Sequence, residues 1–137
     1  MKPPLDAQTE ARLVAAAAAV RENASAPYSK FRVGAALLAE DGRIFTGCNV
    51  ESASYGLTVC AERTAVFKAI SEGVRDFRAV AVVTDADPPA SPCGACREVL
   101  TEFCPPEMPV RMVNLAGAVR EFRLGELFPE PFAFAPA

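Results

Sequence analysis

The segment SPCGACREV, residues 91–99, carries two thiols three positions apart, Cys93 and Cys96. Such a pair can hold a metal, form a redox disulfide or fill space. A third cysteine, Cys60, opens the run CAER, with a carboxylate at Glu62 two residues later. If the two stretches meet, three thiolates converge, which is three of the four ligands of a tetrahedral zinc ion. A structural site closes the fourth position with a protein ligand, whereas a catalytic site leaves it to solvent. Cys48 and Cys104 are the other cysteines. Cys48 belongs to a different stretch, and eight helical residues would carry Cys104 about 12 Å beyond Cys96. An open fourth position is therefore expected, with Glu62 beside the solvent, able to take its proton and pass it to a substrate. Three thiolates on a divalent ion leave a net negative charge. Arg63 and the N-termini of two helices offer the compensating positive charge, and helix N-termini also favour the thiolate form.

Positioning that constellation requires helices that begin near Cys60 and near Gly94. The run VCAERTAVFKAISEG has helical spacing at Ala61, Ala65, Val66 and Ile70 and a stop at Gly73, and a short helix is expected from Gly94 to Phe103. Ahead of them, Asp6 can cap a helix with Leu13, Val14, Ala17 and Val20 on one stripe, ending near Asn23. FRVGAALLA, the turn EDG and RIFTGCNV predict a β-hairpin. FRAVAVVTD is nearly all apolar, as a strand covered on both faces should be. VRMVNLA and VREFRL predict two more strands, and GELFPEPFAFAPA a Pro-rich tail. The expected fold is α/β, a three-layer α/β/α domain around a mixed five-stranded sheet, spanning residues 1–137 as a single domain.

The composition narrows the chemistry further. With 137 residues, 51% of them apolar, the chain suits one core. Net charge is −3 and there is no run of Lys or Arg, so no nucleic-acid partner is expected. The opening MKPPLDAQTEARL lacks a secretory apolar stretch and the alanine run is too short to span a bilayer, so a soluble, cytoplasmic protein without membrane contact is expected. Five cysteines, an odd number, then argue against a disulfide framework. The absence of histidine removes Ser-His-Asp and Cys-His nucleophilic systems, imidazole ligands and imidazole acid–base chemistry. A proton carrier near neutral pH must then be a carboxylate with a raised pKa.

CNVESASYGLTVCAERTA followed by SPCGACREV resembles the cytidine deaminases of the short, homotetrameric type, and the resemblance extends from PYSKFRVGAALL to the tail. It implies a cytidine deaminase-like fold and one zinc per subunit, held by Cys60, Cys93 and Cys96. It also implies hydrolytic deamination of cytidine and deoxycytidine to uridine and deoxyuridine plus ammonia, in pyrimidine salvage, with Glu62 moving the protons. Phe31 matches an aromatic that packs on the pyrimidine, and Asn49 and Glu51 match residues that bind the ribose hydroxyls. The Ala61 backbone lies where the family bonds the base. Ala53 and Tyr55 match residues that complete a neighbour's pocket, and Phe132 a C-terminal aromatic inserted from another subunit, so that active sites are shared within a homotetramer. The sequence departs from the pattern at Arg32, where proline often follows the aromatic, at Glu98, where glutamine is common, and in the tail LFPEPF.

Other readings have their own signatures. A structural zinc module would close the site with Cys48. A thioredoxin-like pair would leave Cys60 and Glu62 unexplained, and its motif belongs after the first strand of a βαβ unit. A deaminase of the same fold could act on another aminopyrimidine nucleoside such as a nucleoside antibiotic. Singly, Phe31 could be a core residue, Glu62 and Arg63 a solvated face, and Phe132 part of a tail docked on its own domain.

Overall fold

A computed structural model describes residues 4–134. Helix α1 (Ala7–Arg21) is followed by strands β1 (Gly34–Ala39) and β2 (Ile44–Cys48), helix α2 (Ala61–Ser71) and strand β3 (Phe77–Thr84). Helix α3 (Gly94–Phe103), strands β4 (Pro109–Asn114) and β5 (Val119–Arg123), and a single helical turn, α4 (Leu124–Leu127), complete the chain. The strands form one sheet in the order β2-β1-β3-β4-β5; β3 and β4 run parallel and every other pair antiparallel. The expected mixed five-stranded sheet is thus present.

Alternation along the strands divides the core into two layers. Ala36, Leu38, Ala79, Ala81 and Val83 face α1, which buries Leu13 and Ala17 against them. Ala35, Leu37, Val80, Val82 and Val110 face the other way, onto Ala61, Ala65, Val66 and Ala69 of α2 and Leu100 of α3. β3 stands in the middle of the sheet and is buried along almost its whole length, as its uninterrupted apolar run requires.

Local signals fix the helix ends. The Asp6 side chain accepts from the Thr9 N–H at 2.7 Å and caps α1. α2 stops ahead of Gly73, which takes φ +83°, a left-handed conformation open to glycine. Three expectations shift. α1 ends at Arg21, ahead of Asn23, and its stripe closes with Arg21, whose buried guanidinium donates to the Arg32 carbonyl. Phe31 does not begin a strand: β1 starts at Gly34, because the Asn49 side chain takes the Val33 N–H and donates to the Phe31 carbonyl, occupying groups a ladder would use. Leu124, expected at the end of a strand, starts α4: its N–H donates to the Met108 carbonyl, its side chain is buried, and Glu126 caps the turn through the Arg123 N–H at 2.8 Å. No helix among the described residues is long and apolar enough to cross a membrane.

Candidate metal centre

Cys60 is the N-cap of α2 and Cys93 the N-cap of α3, neither making a side-chain capping bond. Cys96 lies in the first turn of α3 and is buried. Two helices packed against the same sheet face thus bring their N-termini to one point, with sulfurs in place of the usual capping oxygens. Cys60 and Cys93 are 3.7 Å apart and Cys93 and Cys96 3.5 Å, and all three sulfurs lie within 4.8 Å of one another. A zinc–thiolate tetrahedron with bonds of about 2.3 Å has sulfur–sulfur edges of about 3.8 Å, so the spacing fits such an ion with little adjustment.

The electrostatics suit a cation as well. An Arg63 terminal nitrogen stands 3.4 Å from the Cys60 sulfur, and Arg63 Nε is buried without a hydrogen-bond partner among the described residues. The hydrogen bond from Cys96, reinforced by Arg63, holds the Cys60 thiol down to about 5, while the same bond and burial push Cys96 up. Glu62 faces inward from α2, 5% exposed. Burial pushes its carboxyl up to about 7, the Cys60 charge adds to that rise, and Arg63 opposes it. A carboxylate at that value can both accept and donate a proton near neutral pH.

Among the described residues the three-sulfur group includes neither Cys48 nor Cys104. Cys104 is buried in the core layer beneath α2 and α3, where burial alone raises its thiol to about 12. Cys48 ends β2, opposite Gly34. The fourth position thus has no cysteine to close it. The redox-pair reading also fails on placement, since α3 follows the third strand in chain order and its N-terminus is shared with Cys60.

The residues expected to hold substrate form a second group. Asn49 is buried and bridges Phe31 and Val33 at 2.8 Å on each side. The Glu51 carboxylate accepts from the N–H groups of Tyr28 and Ser29 at 3.0 and 3.1 Å and from the Ser29 hydroxyl. Ser29 Oγ in turn accepts from the Phe31 N–H at 3.0 Å, so one hydroxyl links Glu51 to Phe31. Glu51 lines a cleft of about 340 Å³ with Tyr28, Ser29, Ser52, Tyr55 and Thr58. Tyr55 stacks edge-on against Tyr28, their ring centres 6.4 Å apart, and is exposed together with Ala53. Ala61, buried, occupies the first position of α2 between Cys60 and Glu62. Phe132 is exposed and touches Phe134 edge-on, so these two rings are not docked on their own domain. Of the departures from the family pattern, Arg32 is paired with Glu22 at 3.2 Å, which offsets its charge, and Glu98 is exposed on α3.

Two supporting residues escape the motif reading. Ser29 is one. The other is Arg97, whose guanidinium donates to the Pro92 carbonyl at 2.8 Å, the Ser91 hydroxyl at 2.6 Å and the Leu127 carbonyl at 2.9 Å, tying the loop ahead of Cys93 to α4. Its place in CGACR marks it as near the site, but its partners lie too far along the chain to be read from spacing.

Comparison with known proteins agrees with this geometry. Residues 7–112 match the sequence model of the cytidine and deoxycytidylate deaminase zinc-binding region. The chain is 56% identical over 122 residues to a cytidine deaminase of Sporosarcina psychrophila, covering 89% of this chain and 90% of that one. It is 54% identical over 120 residues to a cytidine deaminase of Halalkalibacterium halodurans, covering 88% and 91%. A crystal structure of the cytidine deaminase from Burkholderia pseudomallei superposes with a TM-score of 0.87 at 52% identity, covering 89% of this chain and 98% of that one. The matched region contains all three sulfurs, whose spacing fits zinc. The chain belongs to the cytidine and deoxycytidylate deaminase family, with zinc as the cofactor of its three-cysteine site.

Proposed function

We infer that this protein catalyses the hydrolytic deamination of cytidine, and of deoxycytidine, to uridine or deoxyuridine and ammonia. The observation that carries the reading is the buried Glu62 carboxyl, raised to about 7, two residues along α2 from Cys60 of the three-cysteine site. Relatives at 54–56% identity over nearly 90% of the chain are cytidine deaminases, which favours cytidine over another aminopyrimidine nucleoside.

Zinc held by Cys60, Cys93 and Cys96 supplies Lewis acidity, which lets solvent act as a nucleophile near neutral pH. The chain's own groups do the rest. A Glu62 carboxylate oxygen takes a proton from the attacking water and gives it to N3 of the pyrimidine; a second proton then leaves with the C4 amine as ammonia. Water is consumed and ammonia released, one of each per turnover. Arg63 offsets the thiolate charge, and the Ala61 backbone bonds the base. Phe31 packs on the pyrimidine ring, while Asn49 and Glu51 use their remaining hydrogen-bonding capacity for the ribose hydroxyls.

The reading extends to the assembly and its setting. The active unit is a homotetramer in which Ala53, Tyr55 and Phe132 of neighbouring subunits complete each site, and it works in the cytoplasm in pyrimidine salvage. The exposure of Tyr55, Leu57 and Phe132, each above 70%, supports a partner surface there. The direct experiment is incubation of the zinc-loaded protein with cytidine, following ultraviolet absorbance and ammonia. Uridine and ammonia in equal amounts are expected; no uridine would end the reading.

A further inference from the structure

Alternate residues of β2 are buried, which places Phe45 and Gly47 on the face covered by α2. A Cβ on Gly47 would lie 2.5 Å from the Ala61 carbonyl oxygen, 2.5 Å from the Ala65 nitrogen and 2.9 Å from Thr64 Cβ. The two shortest of these contacts are to backbone, which no change of rotamer can clear. Gly47 is not one of the glycines with positive φ. Its lack of a side chain therefore answers to close approach, not to backbone conformation. Carbon contacts become favourable near 3.5 Å, so a methyl group here would lift the first turn of α2 off β2 by about 1 Å.

Ala61 is the residue between Cys60 and Glu62, so whatever moves Ala61 moves a zinc ligand and the proton carrier together. None of the close contacts at Gly47 is to α3, which carries Cys93 and Cys96. Lifting α2 alone would open the 3.7 Å gap between Cys60 and Cys93. Gly34, on the adjacent strand, makes a still closer approach on the opposite face, where a Cβ would lie 1.9 Å from the Ala17 carbonyl oxygen. Both helices that cover β1 and β2 thus rest on a glycine, and only the one at Gly47 bears chemistry.

We infer that Gly47 is a positioning residue: its missing side chain sets how closely the first turn of α2 lies on β2, and thereby where Cys60 and Glu62 stand relative to the α3 sulfurs. The inference rests on the proposed deaminase reading for its effect on turnover, but not for its effect on zinc.

The test is Gly47→Ala, with zinc affinity measured by chelator competition and kcat and KM measured with cytidine. Zinc binding is expected to weaken by about 10–100-fold, the range for residues that orient metal ligands. The turnover number is expected to fall by about 100-fold, the scale of a 1 Å misplacement, with KM rising by less. Leu13→Ala, which empties the opposite core layer, controls for lost stability and should keep wild-type zinc affinity and kcat. If Gly47→Ala does not fold, Ala65→Val overfills the same buried contact and should give the same signature. Wild-type zinc affinity and kcat in the α2-facing variant, or an equal loss in Leu13→Ala, would overturn the inference. A wild-type protein that binds zinc without turning over cytidine would sink the proposed function instead, leaving the zinc measurements to decide the role of Gly47.

Discussion

Glu62 is buried beside a thiolate, an environment that opposes its ionised form, while Arg63 on the same helix turn favours it. Glutamine has the same shape and cannot carry the proton. Glu62→Gln should therefore keep its zinc and its melting temperature while kcat falls by about 100- to 10,000-fold, the usual contribution of a positioned acid–base group. Near wild-type turnover in a zinc-replete variant would remove Glu62 from the chemistry. Cys93→Ala deletes one of three ligands and should lose stoichiometric zinc, as read by elemental analysis, and should also lower Tm, because metal binding is linked to folding. At this scale the sequence was most legible where neighbours in the chain are neighbours in the site: CAE sets Cys60 beside Glu62, and PCGAC sets Cys93 beside Cys96. The link from Glu51 through Ser29 to Phe31 was not legible, since a serine in a loop carries no mark of the two partners its hydroxyl will join.

Elements were readable to the extent that their signals are local. Asp6 stands three residues ahead of the amide it accepts from, and the cap is present as expected. That hydrogen bond holds the Asp6 carboxyl below its ordinary value of 3.8. A group whose folded-state pKa is lowered stabilises the fold above the unfolded value and loses that contribution as pH falls through the folded one. The stability difference between wild type and Asp6→Ala should therefore be constant near neutrality and shrink on acidification below about pH 4, as urea unfolding at successive pH values will show. A difference that grows on acidification would contradict the cap. By contrast, α4 was hidden in what reads as a proline-rich tail. The turn is fixed by burial of its own Leu124 side chain and by two groups distant along the chain, the Met108 carbonyl and the Arg97 guanidinium. Arg97→Ala removes three hydrogen bonds from loop and tail and should cost about 2 kcal/mol in urea unfolding. It should also weaken zinc, because the loop it braces ends at Cys93.

For the molecule as a whole, the five strands, their mixed sheet and the helix layers on its two faces were legible from the alternation of apolar runs, whereas the strand order β2-β1-β3-β4-β5 was not, because pairing between distant strands leaves no local mark. The outer surface is another matter. Exposed Tyr55, Leu57 and Phe132 have the character of buried residues, yet their own domain does not cover them. A single chain's pattern marks such residues as apolar but cannot say which copy covers them. If neighbouring subunits do, Phe132 acts on a site whose Glu62 belongs to another chain. Glu62→Gln and Phe132→Ala would then disable different halves of each site. Dissociating the two variants, mixing them in equal amounts and reassembling them should restore activity that neither variant has alone. Random assembly places an intact Glu62 opposite an intact Phe132 in about a quarter of sites, so roughly a quarter of wild-type kcat is the expected ceiling. Light scattering should report the same tetramer mass for both parents and for the mixture. Strictly additive activity in a mixture of proven tetramers would mean that each subunit works alone, and that Phe132 serves the chain that carries it.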